Sequence, residues 1–133
     1  MLGGSNPVGS SNPAGIGSSL NYVGKHAYAT SGQIDTDSSA KAYLDFTTAS
    51  NTYIVGEFFA VADAVSGNDQ SVSIEYDGQI VFDQRYTDTN PPGGVMSITT
   101  MLLPPETRIR LLIQNHSGGN IPMTAGFTGE VYA

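Results

Sequence analysis

The stretch Ser71-Val72-Ser73-Ile74-Glu75-Tyr76-Asp77-Gly78-Gln79-Ile80-Val81-Phe82-Asp83 decides the fold class. Val72, Ile74 and Tyr76 alternate with Ser71, Ser73 and Glu75, the two-residue period of a strand with one buried face. Asp77-Gly78 tolerates the positive φ of a type I′ turn, whose twist matches that of two flanking antiparallel strands. Past the turn, Ile80 and Phe82 alternate with Val81 and Asp83. These thirteen residues predict a β-hairpin.

The same reading extends in both directions. Strands are predicted over 26–34, 41–47, 52–65, 71–76, 79–86, 95–103, 107–115 and 124–132. Asn90-Pro91-Pro92-Gly93-Gly94, Pro104-Pro105 and Ser117-Gly118-Gly119-Asn120 punctuate them as turns. No segment sustains a 3.6-residue apolar period, so little helix is expected. About eight short strands in one chain predict an all-β, antiparallel sandwich, with a jelly roll the most specific choice. Strand number alone also fits an immunoglobulin-like sandwich. The absence of Cys and Trp removes the usual core hallmarks of that alternative.

Residues 1–20 differ from the rest. They are mostly Gly, Ser, Asn and Pro, with the near-repeat Ser5-Asn6-Pro7-Val8-Gly9-Ser10 and Ser11-Asn12-Pro13-Ala14-Gly15. So few apolar anchors cannot offset the entropy of ordering, which predicts a flexible arm carrying Asn6, Pro7, Asn12 and Pro13. Such an arm either stays loose or orders across a neighbouring subunit. The sandwich domain is expected over 21–133.

Two strands carry the functional information. In 107–115, Ile109, Leu111 and Ile113 share one face, and Arg108, Arg110, Leu112 and Gln114 the other. In 52–65, apolar residues fall on both faces: Ile54, Phe58, Ala60 and Ala62 on one, Val55, Phe59, Val61 and Val65 on the other. A sandwich covers only one face of each sheet. Either a second subunit covers the other face, or a bulge near Gly56 reverses the register partway. The candidate interface residues are therefore Val55, Phe59, Val61, Arg108, Arg110 and Leu112.

Composition narrows the partners. Five Lys and Arg against twelve Asp and Glu give a net charge of −7, which repels a nucleic-acid backbone. Only 13% of residues are charged, against roughly 25% ordinarily, so the surface is mostly uncharged polar and easier to desolvate against a protein. No cysteine is present, which excludes disulfides and thiolate sites. Met1-Leu2-Gly3-Gly4-Ser5 has no signal-peptide character, and no apolar run approaches membrane-span length. No membrane partner is expected.

Chemistry-bearing constellations are sparse. His26 and His116 have no fixed spacing to a carboxylate, and a triad would need one of them beside a nucleophile such as Ser117. Asp35-Thr36-Asp37 is the nearest approach to a Ca²⁺ pair, with Asp69 or Asp88 as added ligands. It lacks the Gly and distal Glu of a calcium loop and reads as a turn. No phosphate-cradling glycine spacing occurs, and no cofactor or enzymatic activity is expected. Seven tyrosines and no tryptophan leave a glycan platform to tyrosine alone.

Several motifs carry a resemblance: Asn21-Tyr22-Val23-Gly24-Lys25-His26-Ala27-Tyr28-Ala29, Phe46-Thr47-Thr48 with Tyr53-Ile54-Val55-Gly56, Leu103-Pro104-Pro105-Glu106-Thr107, and Phe127-Thr128-Gly129-Glu130-Val131-Tyr132. Over residues 21–132 the chain resembles small β-sandwich capsid decoration and cement proteins of tailed phages (bacteriophages) and marine viruses. The resemblance implies a virion location on the capsid surface after synthesis in the host cytoplasm. It also implies the major capsid protein or another virion protein as partner, and a homo-oligomer, commonly a homotrimer. It brings no catalytic residue. The alternative carried with it is a receptor- or glycan-binding head of a phage fibre or spike.

Overall fold

The computed structural model describes residues 20–62, 68–88, 94–97, 100–116 and 121–133. Asn6, Pro7, Asn12 and Pro13 of the expected arm lie outside them, as do Val65 and Ser117. Ten strands are present: β1 (Asn21–Val23), β2 (His26–Asp35), β3 (Lys41–Thr47), β4 (Tyr53–Ala62), β5 (Asn68–Tyr76), β6 (Gln79–Asp88), β7 (Gly94–Ser97), β8 (Met101–Leu103), β9 (Arg108–Asn115) and β10 (Pro122–Tyr132). No helix occurs among the described residues.

The strands form two antiparallel sheets. Sheet A has the order β1-β2-β10-β4-β7, with β8 also on β4, and sheet B the order β3-β9-β5-β6. β7 pairs with Phe59–Ala62 and β8 with Ile54–Gly56, so the two lie along one edge of β4 as a single interrupted strand. Counting them together, eight principal strands change sheet from one to the next except at the β5–β6 hairpin, as in a jelly roll. One strand expected over 95–103 is therefore two, and the short β1 was not foreseen.

Local chemistry explains the joints. Tyr76 pairs with Gln79 across Asp77 (φ 52°) and Gly78 (φ 84°), the turn the sequence predicts. Asp77 also ties this hairpin to β9: its N–H donates to the Arg108 carbonyl and its carboxylate accepts the Arg108 N–H, both at 2.8 Å. In β2 the register slips opposite Thr124–Gly126, with Gly32 at φ 68°. The Ser31 hydroxyl accepts the Ala125 N–H there at 2.9 Å, replacing a lost ladder bond.

The core lies between the sheets. Ile54, Phe58, Met123, Ala125 and Phe127 of sheet A face Leu44, Phe46, Val72, Ile74, Ile109, Leu111 and Ile113 of sheet B. Phe127 sits at the centre, 4.7 Å from Phe58 and 6.1 Å across the sandwich from Phe46, centroid to centroid. Leu20, the last residue of the expected arm range, is fully buried in this core.

Buried polar residues close both ends. The Thr36 hydroxyl accepts from Asn115 Nδ2 and the Ile121 N–H, each at 3.1 Å. At the other end the Thr48 hydroxyl donates to the Pro104 carbonyl (2.6 Å) and accepts the Thr107 N–H (2.9 Å). An unpaired buried group costs about 1–3 kcal/mol, so these bonds hold loops that the strand ladders do not reach.

Two tyrosines make the fold sensitive to alkali. The Tyr43 and Tyr76 hydroxyls donate to the carbonyls of Ile34 and Leu102 at 2.7 Å. Burial pushes Tyr43 up to about 12, helped by the negative charge of Asp35, and burial alone pushes Tyr76 up to about 12. The unfolded value is about 10, so the folded state favours the protonated phenol. Their contribution is fully present below pH 10 and is lost as pH rises toward 12. Urea midpoints are expected to fall between pH 10 and 12, and to fall less steeply in Tyr76→Phe.

Candidate functional site

The two outer faces of the sandwich have opposite character. On sheet B the face is ionic. Arg108 grips the Asp45 carboxylate through Nε (3.0 Å) and Nη2 (2.8 Å). Arg110 lies between Asp45 (3.8 Å) and Glu75 (3.4 Å). Arg85 grips Asp69 at 2.8 and 2.9 Å. The hydrogen bond from Arg108 holds the Asp45 carboxyl below the usual carboxylate range, and that from Arg85 does the same for Asp69. Leu112 sits among these charges at 8% exposure. Arg110 Nε is buried without a hydrogen-bond partner, but all three arginines of this face are ion-paired, and desolvating these ions against a partner is costly.

Sheet A's outer face carries most of the exposed large apolar side chains, set among Thr and Gln residues and the exposed carboxylates Glu57 and Glu130. Its register sets out cross-strand rows: Tyr53 with Tyr132; Val23, His26, Glu130, Val55 and Leu102; Tyr28, Thr128 and Glu57; Thr30, Gly126 and Phe59; Gln33, Thr124 and Val61. Val23, Tyr28, Tyr53, Val61, Leu102 and Tyr132 are between 37% and 66% exposed. Among the described residues, only Ile80 and Val81 of the other exposed large apolar side chains lie elsewhere, on β6. Phe59 is half-buried because its ring covers Gly126 on the next strand. Tyr53 and Tyr132 stack at 5.3 Å with planes 14° apart.

The pairing of β4 with β10 runs without a slip from Tyr53–Tyr132 to Ala62–Met123. A bulge near Gly56 is thereby excluded, and the apolar residues of this strand do occupy both faces. The expected interface residues divide into two groups. Val55, Phe59 and Val61 stand on the outer face of sheet A, whereas Arg108, Arg110 and Leu112 stand on that of sheet B, with both arginines in internal ion pairs. Tyr28, Leu102 and Tyr132 join the first group on the same outer face, although nothing in their local sequence places them there.

Other expected positions are placed as follows. The Asp37 carboxylate accepts the Ser38 N–H (2.7 Å), and the Asp35 carbonyl accepts from Lys41 Nζ (2.8 Å). Asp69, an added calcium ligand on sequence grounds, is committed to Arg85. No cluster of three metal-ligating side chains occurs among the described residues. His26 Nε2 lies 2.7 Å from the Thr128 hydroxyl, and His116 Nε2 lies 2.9 Å from that of Ser71. The Ser71–His116 pair is exposed, and both oxygens of nearby Asp69 accept from Arg85. No described helix is long and apolar enough to cross a membrane.

The strand order is that of a jelly roll, and known structures agree in fold. A chain of infectious bursal disease virus, Gx strain, superposes with a TM-score of 0.52 at 16% identity, covering 80% of this chain and 32% of its own. A chain of the IBDV viral particle solved by crystallography gives a TM-score of 0.50 at 16% identity, covering 80% of this chain and 31% of its own. The chain thus spans about a third of the length of these neighbours, and the likeness is one of fold. The sequence matches no protein-family model and no curated protein.

Proposed function

We propose that the chain is a non-enzymatic virus structural protein that joins a capsid by packing the outer face of sheet A against neighbouring subunits, as a decoration or cement protein does. The carrying observation is the asymmetry of the two outer faces. One neutralises its own charges, and the other leaves its large apolar side chains to solvent. Exposed apolar area of this kind is stabilised by a partner, whereas the ionic face is not. The jelly-roll likeness to chains of a virus particle supports the same reading. The partners are further copies of the chain, a trimer being favoured, and the major capsid protein or another virion protein. The location is the virion. Repeated weak contacts across a shell sum to firm attachment.

The Gly/Ser/Asn/Pro segment serves in this reading as an arm laid on the neighbour. Because Leu20 is buried, the informative truncation removes residues 1–19 and keeps it. The truncated chain is expected to keep its unfolding midpoint and to bind purified shells of the source virus at least tenfold more weakly. Equal binding by the two chains would remove the arm from the proposal.

A further inference from the structure

The end of sheet A also holds a cleft, at whose rim Tyr132 and Glu130 belong to the outer face proposed to pack against a neighbour. It has a volume of about 340 Å³ and is lined by Gly24, Lys25, Thr52, Glu130, Val131, Tyr132 and Ala133. The β1–β2 turn, with Gly24 at φ 60°, forms one wall, and the Val131 N–H donates to the Lys25 carbonyl at 2.7 Å, tying that wall to β10. A cleft of this size lies at the lower end of ligand sites, about 300–1,000 Å³.

Its lining combines three features. Tyr132 is fixed by its stack on Tyr53 yet keeps 44% of its surface exposed, an apolar platform held in one orientation. Lys25 and Glu130 supply a donor and an acceptor at the same rim, with no ion pair between them. The Thr52 hydroxyl is buried in the wall without a hydrogen-bond partner, an unmet bond that a ligand hydroxyl can satisfy after a χ1 rotation.

We infer that this cleft binds a neutral pyranose sugar, its C–H face on Tyr132 and its hydroxyls on Lys25, Glu130 and Thr52. A pyranose presents one apolar face and a ring of hydroxyls, which matches platform, donor and acceptor together. Glu130 and the chain's net charge of −7 select against acidic sugars.

The test is saturation-transfer NMR on the full chain with free glucose, galactose, mannose and N-acetylglucosamine at millimolar concentration, alongside an array of neutral oligosaccharides. Transfer to ring protons of at least one sugar is expected, weakened at least tenfold in Tyr132→Ala and retained in Tyr132→Phe. If Tyr132→Ala does not fold, Lys25→Ala and Glu130→Gln, both at exposed positions, must weaken binding instead. Array binding without monosaccharide binding would assign the cleft to a residue within an extended glycan. Silence in both formats, or binding unaltered by these substitutions, would overturn the inference. Tyr132 and Glu130 also stand on the face proposed to pack, so the measurements are repeated in Val61→Asp, where sugar binding is read without self-association and the two proposals are separated.

Discussion

Replacing Gly56 by alanine is expected to cost the chain a large part of its stability, whereas the same change at Gly126 costs little. Gly56 and Gly129 face each other across β4 and β10, the pair that runs through the middle of sheet A. A Cβ on Gly56 would stand 2.6 Å from Gly129 Cα, against the Thr128 carbonyl oxygen, and 2.8 Å from the end of the Phe127 ring. Two of these neighbours are backbone, and Phe127 is locked between Phe58 and Phe46. Relief requires the two strands to part. Overpacking a core ordinarily costs about 1–3 kcal/mol and occasionally more, and a backbone clash belongs at or above the upper end. A domain's total stability is about 5–15 kcal/mol, so Gly56→Ala should lower the urea midpoint severely or leave the chain insoluble. At Gly126 the nearest atoms the added methyl meets are those at the far end of the Phe59 ring, on the outer face, where the ring can swing aside. Gly126→Ala should shift the midpoint by less than about 1 kcal/mol equivalent. Equal losses in the two variants would mean that Phe59 is as immobile as the backbone.

The second large effect is expected on association. Val61 is exposed on the outer face of sheet A, so Val61→Asp should leave the monomer's fold intact. In an assembled subunit that carboxylate would be buried without a partner, at a cost of about 3–5 kcal/mol. Each 1.4 kcal/mol is tenfold, which makes the expected loss more than about a hundredfold in the association constant. Asp83→Lys alters charge more, but on the ionic sheet, where Asp83 pairs with Ser73 across β5 and β6. It should leave association unchanged. Sedimentation across a concentration series compares the two variants directly, and equal behaviour would detach the apolar face from assembly.

How much of this was legible depended on whether the signal was local. Alternation in Ser71–Tyr76 and the Asp77-Gly78 turn are properties of adjacent residues, and both hold in the fold. The two-faced character of β4 was legible for the same reason, because a strand's period assigns each residue to a face whatever lies next to it. Period says nothing about which sheet a strand joins. Arg108 and Val55 were therefore grouped as one interface, although β9 and β4 lie in different sheets and their outer faces point away from each other. The partner of Arg85 was hidden likewise. Its carboxylate is Asp69, brought across by the β5–β6 register from sixteen residues away. The break between β7 and β8 leaves no mark in residues 95–103 because it concerns where each half meets β4. The cleft beside Tyr132 assembles residues from the β1–β2 turn, from the approach to β4 and from the end of β10, which no linear pattern relates.

The most direct measurement is the mass of the full chain in solution by light scattering over a wide concentration range. The proposed packing through the outer face of sheet A predicts a defined oligomer, three chains being favoured, that persists on dilution and collapses to monomer in Val61→Asp. A wild-type chain that remains monomeric at every concentration, or an oligomer indifferent to Val61→Asp, would contradict self-assembly through that face.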